Sequence, residues 1–134
     1  MRIRIVSSTL LLMLAAGCGA YTCVDVHSDC APLYAPTWDN VYEQTIVPSC
    51  ATAGAGCHAG EGAQGDLVLE AKAEAYRQLV DGQEPRVLAG DAGCSLLVIR
   101  IEHSNGDRVM PPGLQMSEEE RCAIRQWVEQ GAQE

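Results

Sequence analysis

Two cysteines and a histidine in the stretch CATAGAGCH, residues 50–58, are side chains of the types that hold a haem covalently. In the attachment signature C-x-x-C-H the second cysteine is followed directly by histidine, as Cys57 is by His58. The signature has two residues between its cysteines, whereas six residues separate Cys50 from Cys57. The stretch therefore predicts either a haem held by an extended loop or a disulfide between Cys50 and Cys57.

The start of the chain has the pattern of an export signal. Residues 1–17, MRIRIVSSTLLLMLAAG, contain two arginines and then an apolar run of about ten residues, which is too short to span a bilayer and is typical of a signal peptide. The stretch LAAGC that ends at Cys18 resembles the lipobox of bacterial lipoproteins, and an ordinary signal peptide cut at small residues is the alternative. We expect an exported protein, periplasmic or at the cell surface, that is anchored to a bacterial membrane by lipid on Cys18.

The charge of the chain argues against polyanionic partners. After removal of the predicted signal, seven Lys and Arg remain against eighteen Asp and Glu, a formal charge of −11. Nucleic acids and anionic lipid headgroups are polyanions, so this charge repels them. The charge permits a partner with a basic face, although solubility is the more usual reason for an acidic surface.

Seven cysteines in an exported chain predict oxidised, cross-linked thiols. Lipid on Cys18 leaves six, and an even number is what a fully bonded framework requires. If haem takes up the two cysteines of the opening motif, four remain. Their simplest pairing is Cys23 with Cys30 and Cys94 with Cys122.

The composition changes after residue 36. Residues 18–36 show no helical period and contain two prolines, and we interpret them as a tether pinned by a local disulfide. From Thr37, which can cap a helix, apolar residues recur on one helical face, and Pro48 is expected to end this first helix. Its apolar face consists of Trp38, Val41, Tyr42, Thr45 and Ile46. The folded domain is therefore placed at residues 37–134.

Three further segments are predicted to be helical. The stretch AKAEAYRQLVDG has the composition of a short helix that ends at Gly82. The stretch SLLVIRI fits a helix or a buried strand, and helix is preferred because GDAG precedes it as a start signal and no partner strand is visible. In the last helix Ser117 and Glu120 form a capping box and Gly131 marks the end. Its apolar face must pack on another element, and the Trp38 helix is the natural partner.

Four stretches together resemble class I cytochrome c, and in particular the planctomycete-type subgroup found in many bacterial lipoproteins. They are SCATAGAGCHAG, GDLVLEAKAEAYRQLV, VLAGDAGCSLLVIRI and RVMPPGLQMSEEERCAIRQWVEQGA. They lie within residues 38–132, which is nearly the whole mature domain. The resemblance implies a small all-α domain whose N- and C-terminal helices pack together and which binds haem c.

The resemblance also implies roles for single residues. His58 would be the proximal iron ligand and Met110 the distal one, with Cys50 and Cys57 bonded to the haem vinyl groups. His58 has an alternative interpretation as a solvent-facing loop residue, and Met110 as a core side chain, which is the usual role of methionine. Met116 is a rival distal ligand, although packing is the more usual role at its position before the last helix.

Electron transfer is the function that this set of ligands favours. A His/Met pair gives six-coordinate iron with a raised potential and no open position, which predicts a carrier rather than an enzyme. The alternative is a haemless binding or structural lipoprotein of the same fold with a Cys50 to Cys57 disulfide, and a copper site from Cys, His and Met is a third interpretation. His27 and His103 match no motif and are expected to face solvent. The expected partner is a redox protein whose identity the sequence does not specify.

Overall fold

The computed structural model describes residues 22–52, 57–102 and 108–134. These ranges contain four helices and no strand, which confirms the predicted all-α class. None of the helices within them is long and apolar enough to cross a membrane. The predicted signal peptide, Cys18 and His103 lie outside the described residues.

The first two helices each begin as α-helix and continue as π-helix. Their bounds are Trp38–Val41 followed by Tyr42–Cys50 for α1, and Lys72–Tyr76 followed by Arg77–Asp81 for α2. A single 3-10 turn, Gln64–Asp66, lies between them. The other two are regular α-helices, α3 at Leu96–Glu102 and α4 at Glu118–Glu129. The segment that fitted either helix or strand is therefore a helix, as preferred.

Helix α1 begins where the sequence predicts and runs past the predicted end. The Thr37 side chain caps it, and all five members of the predicted apolar face are buried. Pro48 does not end the helix, because it lies in the π-helical part, where an N–H bonds to the carbonyl five residues back, as Ala51 does to Ile46 at 2.9 Å. Proline removes only its own N–H from this ladder. Cys50 is consequently the last residue of the helix rather than a residue beyond it.

Helix α4 has the predicted capping box and the predicted partner. Ser117 Oγ accepts a hydrogen bond from the Glu120 backbone N–H at 3.2 Å, and Glu120 Oε2 accepts one from the Ser117 N–H at 3.0 Å. The indole rings of Trp38 and Trp127 stack with centroids 5.2 Å apart. This contact joins α1 to α4, so the first and last helices of the domain pack against each other.

Buried ion pairs hold α3 against α4, a feature that the sequence pattern did not reveal. Arg125 on α4 is only 3% exposed and pairs with Glu102, at the end of α3, and with Glu118. Arg121 pairs with the same two carboxylates. A buried guanidinium is tolerated only when it is paired and hydrogen-bonded. This network fixes α3, which forms a wall of the site described below.

The four disulfide cysteines are those predicted, but they are paired differently. Cys23 is bonded to Cys94, and Cys30 to Cys122. The predicted pairs, Cys23 with Cys30 and Cys94 with Cys122, are therefore wrong. Both observed bonds tie residues 22–36 to the helical domain, so this segment is not a tether with a disulfide of its own.

Contacts along the N-terminal segment explain this pairing. The Val24 N–H donates to the Gly93 carbonyl at 2.9 Å, and these two residues are the chain neighbours of the first disulfide. The Gln126 side chain amide on α4 donates to the carbonyls of Ser28 and Cys30 at 2.9 and 3.0 Å. A Cβ added at Gly93 would lie 2.7 Å from the Val24 carbonyl oxygen, so the close approach requires glycine. The segment thus lies against the helices, which places Cys23 beside Cys94 and Cys30 beside Cys122.

Replacing Cys30 and Cys122 together by alanine is expected to lower the free energy of unfolding by about 4 kcal/mol, because this disulfide closes a long loop, with a sequence separation of 92. Urea unfolding of the wild type and the double variant measures the difference. The pair Cys23→Ala and Cys94→Ala, with a separation of 71, is the matched comparison and should give a similar loss. A peptide map without reductant that joins Cys23 to Cys30 would contradict the pairing.

Candidate functional site

A cavity of about 280 Å³ lies among the end of α1, the segment before α2, helix α3 and the residues that follow α3. Most of its wall is apolar and includes Leu67, Leu69, Leu79, Leu96, Leu97 and Ile101. Cys50, Cys57, His58 and Met110 all lie in this wall. The fold therefore brings the four sequence-predicted site residues to one apolar cavity, although they come from distant parts of the chain.

The half-buried His58 is held by a hydrogen bond on one side of its ring. Its Nδ1 lies 3.1 Å from the backbone carbonyl oxygen of Gln64. A carbonyl oxygen only accepts, so Nδ1 carries the proton and donates it. The neutral imidazole then has its lone pair on Nε2, and an outer hydrogen bond of this kind is what orients metal-binding histidines in general. His58 is thus in the tautomer that binds a metal through Nε2.

A backbone hydrogen bond joins the two ends of the extended cysteine motif. In a helical turn the N–H of one residue bonds to the carbonyl four residues earlier, and in C-x-x-C-H the residue four before the histidine is the first cysteine. Here the His58 N–H donates to the Cys50 carbonyl at 3.1 Å, although Cys50 is eight residues earlier. Cys50 therefore occupies the hydrogen-bonding position that the first cysteine of the short motif would have.

The two cysteines of the motif belong to neither disulfide. Both lie within the described residues and line the cavity. Burial, with a smaller contribution from the neighbouring Cys57, raises the pKa of the Cys50 thiol to about 11. Cys50 is therefore a neutral thiol at neutral pH, in a half-buried position in the cavity wall.

The two candidate methionines have different surroundings. Met110 is half-buried in the cavity wall, and its backbone N–H donates to the Arg100 carbonyl at 3.1 Å, which ties it to α3. Met116 is 6% exposed and belongs to the hydrophobic core. Its surroundings are those of a packing residue. His27 is exposed, as expected of a histidine outside any motif.

Three further residues of the site have no motif that would have revealed them. Gln64 acts through its backbone carbonyl, which any residue type would supply, so its side chain gives no signal. Arg86 and Arg100 lie in the cavity wall and give it two positive charges. Isolated arginines in a chain are usually surface residues, and only the fold shows that these two line one cavity.

The helical fold and a cavity lined by Cys, Cys-His and Met define a cytochrome c-like domain. Residues 55–113, which are less than half of the chain, match the family described as planctomycete cytochrome C, and this match supports the resemblance found in the sequence. The match includes Cys57, His58 and Met110 and begins after Cys50. Comparisons with curated proteins and with solved structures give no match.

The match to a cytochrome c family supports, at a coarse level, a role in electron transfer through haem c. The residues around the cavity fit this cofactor, because two cysteine thiols, an imidazole with its lone pair on Nε2 and a thioether all line it. Within the described ranges no three His, Cys, Asp or Glu side chains form a metal-binding cluster. A haem needs none, since the macrocycle itself supplies four of the ligands to its iron.

Proposed function

We propose that this protein is an exported, membrane-anchored haem c electron carrier with His58 and Met110 as the two axial ligands of the iron. The observation that carries the proposal is the convergence of Cys50, Cys57, His58 and Met110 on one apolar cavity. An apolar wall suits the macrocycle, since it removes a large hydrophobic surface from water. Arg86 suits its edge, because haem carries carboxylates that are complementary to a guanidinium group.

Two thioether bonds, through Cys50 and Cys57, are part of the proposal. The bond between the His58 N–H and the Cys50 carbonyl supports this, because it gives Cys50 the backbone position of the first cysteine in the short motif.

The ligand set favours a carrier over an enzyme. An imidazole and a thioether fill both axial positions, so no position is open for a substrate, and the pair raises the reduction potential. The partner is then a redox protein, and the formal charge of −11 in the mature chain favours one with a basic face.

The visible spectrum tests this function directly. The full chain, exported in a host with haem-attachment machinery, should show a Soret band that survives acid-acetone extraction. The ferrous protein should be low-spin and should not change its spectrum under carbon monoxide, since both axial positions are filled. Extractable haem would contradict covalent attachment, and rapid binding of carbon monoxide would contradict the His58 and Met110 pair.

Membrane anchoring rests on the sequence alone and has a test of its own. Lipid on Cys18 should hold the wild-type protein in the membrane fraction, and Cys18→Ser should release it into the periplasm or the medium. Ser8→Ala, within the predicted signal but away from its cleavage site, is the control and should fractionate with the wild type. A wild-type protein that is already soluble after fractionation would contradict the anchor.

A further inference from the structure

We propose that Arg86 is a positioning residue that holds His58 in its metal-binding tautomer through the turn Gln64–Asp66. The inference rests on the proposed function in one respect, since it takes His58 to be the iron ligand. The connection runs from the Arg86 guanidinium to the Gly65 carbonyl, and from the adjoining Gln64 carbonyl to the His58 ring.

The Arg86 side chain bridges two carbonyls that belong to different parts of the fold. Its Nη2 donates to the Gly65 carbonyl at 3.0 Å, and its Nη1 donates to the Gln78 carbonyl in α2 at 3.3 Å. None of the carboxylates in the described part of the chain pairs with it. A guanidinium can bridge in this way because its donors are arranged in a rigid fork, which a lysine ammonium lacks. Arg86 therefore links the turn to α2 by two hydrogen bonds.

The backbone of Arg86 is itself fixed by two helices. Its N–H donates to the Leu79 carbonyl in α2 at 2.9 Å, and its carbonyl accepts from the Leu97 N–H in α3 at 2.9 Å. Both helices pack into the buried core through residues such as Leu79 and Val98. The backbone of Arg86 is thus fixed, and the hydrogen bond from its guanidinium to Gly65 holds the turn relative to the two helices.

The turn needs support from outside itself. Gly65 and Asp66 have left-handed backbone angles, with φ of 64° and 53°, and this conformation is unfavourable for Asp66. The hydrogen bond that closes the turn, from the Leu67 N–H to the Gln64 carbonyl, is long at 3.4 Å. All three residues of the turn are exposed, so no packing holds them. Two hydrogen bonds hold it from outside, one from the Gln64 N–H to the Cys57 carbonyl at 2.7 Å and one from Arg86 to the Gly65 carbonyl. The contact from Arg86 is the one that a side-chain substitution can remove.

The orientation of the Gln64 carbonyl determines whether it can accept the hydrogen bond from His58, the proposed iron ligand. The Gln64 and Gly65 carbonyls belong to successive planar peptide units that meet at the Gly65 Cα, so with the second carbonyl held the first can reorient only through φ and ψ of Gly65. The first accepts the Nδ1 proton of His58 at 3.1 Å, and this bond keeps the lone pair on Nε2. When the turn is released, the Nδ1 proton is exposed to water and the ring is free to change tautomer or rotate.

Exchange of the His58 Nδ1 proton with water, followed by NMR in the ferrous full-length protein as purified, tests this role. Arg86→Lys and Arg86→Gln should both exchange about tenfold faster than the wild type, the factor that corresponds to one lost hydrogen bond. Arg77→Gln is the matched control, because Arg77 is exposed and its ion pair within the described residues is with Glu74 on the same helix. Circular dichroism checks that each variant keeps the helical content of the wild type.

The lysine variant separates positioning from charge. It keeps the positive charge in the cavity wall but loses the fork, so positioning predicts that its exchange rate and its reduction potential follow those of the glutamine variant. If the His58 Nδ1 proton exchanges with water at the wild-type rate in both Arg86 variants, the inference is overturned. Gly65→Val, which disfavours the left-handed angle and has no atom within 4 Å of its added Cβ, perturbs the turn independently and should give the same faster exchange even if the Arg86 variants do not fold.

The proton-exchange measurement also distinguishes this inference from the proposed function. If the purified protein carries no haem, the proposed function fails. The ¹⁵N shifts of the His58 ring then report its tautomer in the same variants, with the exposed His27 as internal reference. A shift toward the Nε2-protonated form in the Arg86 variants would support the positioning role without a cofactor, and an unchanged tautomer would overturn it.

Discussion

Serine in place of Cys57 is expected to leave the protein without covalently bound haem, whereas serine in place of Cys50 is expected to leave haem attached through one thioether. Cys57 is the chain neighbour of His58, so a turn that brings the imidazole to the proposed iron would also bring this thiol to the edge of the macrocycle. Cys50 depends on the hydrogen bond that its carbonyl accepts from the His58 N–H across eight residues. The two thiols should therefore contribute unequally.

The pyridine haemochrome spectrum measures this difference. The single thioether of the Cys50→Ser protein should give a red-shifted α band, because one vinyl group stays unreacted. Ser49→Ala, which changes the residue next to Cys50 in the same cavity wall, is the matched control and should retain the wild-type spectrum. Covalent haem in the Cys57→Ser protein would contradict the assignment of the two cysteines.

Alanine in place of Met110 is expected to lower the reduction potential and to open the iron to water or carbon monoxide. Loss of the thioether removes the ligand that favours ferrous iron, and axial ligands set haem potentials over a range of about 0.8 V, so the shift should be a sizeable fraction of that range. Haem should stay attached through its thioethers. Potentiometric titration and the sulfur-to-iron charge-transfer band of the ferric protein report the change.

Met116→Leu is the matched control for this prediction. Met116 is buried in the core, and exchange of methionine for leucine conserves volume, so the variant should fold with a loss below about 1.5 kcal/mol. Its charge-transfer band and potential should equal those of the wild type. If the band disappears in Met116→Leu and survives in Met110→Ala, the distal ligand is Met116.

Local sequence signals predicted the helices well. Each of these signals depends on residues within one or two helical turns, so it can be recognised without knowledge of the fold. They are the Thr37 cap, the Ser117 capping box and the apolar faces of α1 and α4. The prediction that α1 ends at Pro48 was wrong, because the effect of a proline depends on the hydrogen-bonding pattern of the helix around it. A proline that would break an α-helical ladder is accommodated where α1 has become a π-helix.

The disulfides and the support of His58 depend on tertiary contacts that no local pattern encodes. Cys23 and Cys30 are close in sequence, but the extended segment between them lies against the helices, and each thiol meets a cysteine from far along the chain. The partner of the His58 ring is a backbone carbonyl, and Arg86 is an isolated arginine. Sequence reasoning could therefore name the side chains that bear the chemistry, but not the groups that orient them.

The intact mass of the purified full chain, measured after denaturation and without reductant, tests the central claim most directly. A covalent haem c predicts the mass of the mature chain, with its two disulfides, plus one haem, and this mass should persist after extraction with acid acetone. The tryptic peptide that contains Cys57 and His58 should carry the added haem. A protein without haem, in which Cys50 is bonded to Cys57, would contradict the electron-carrier function.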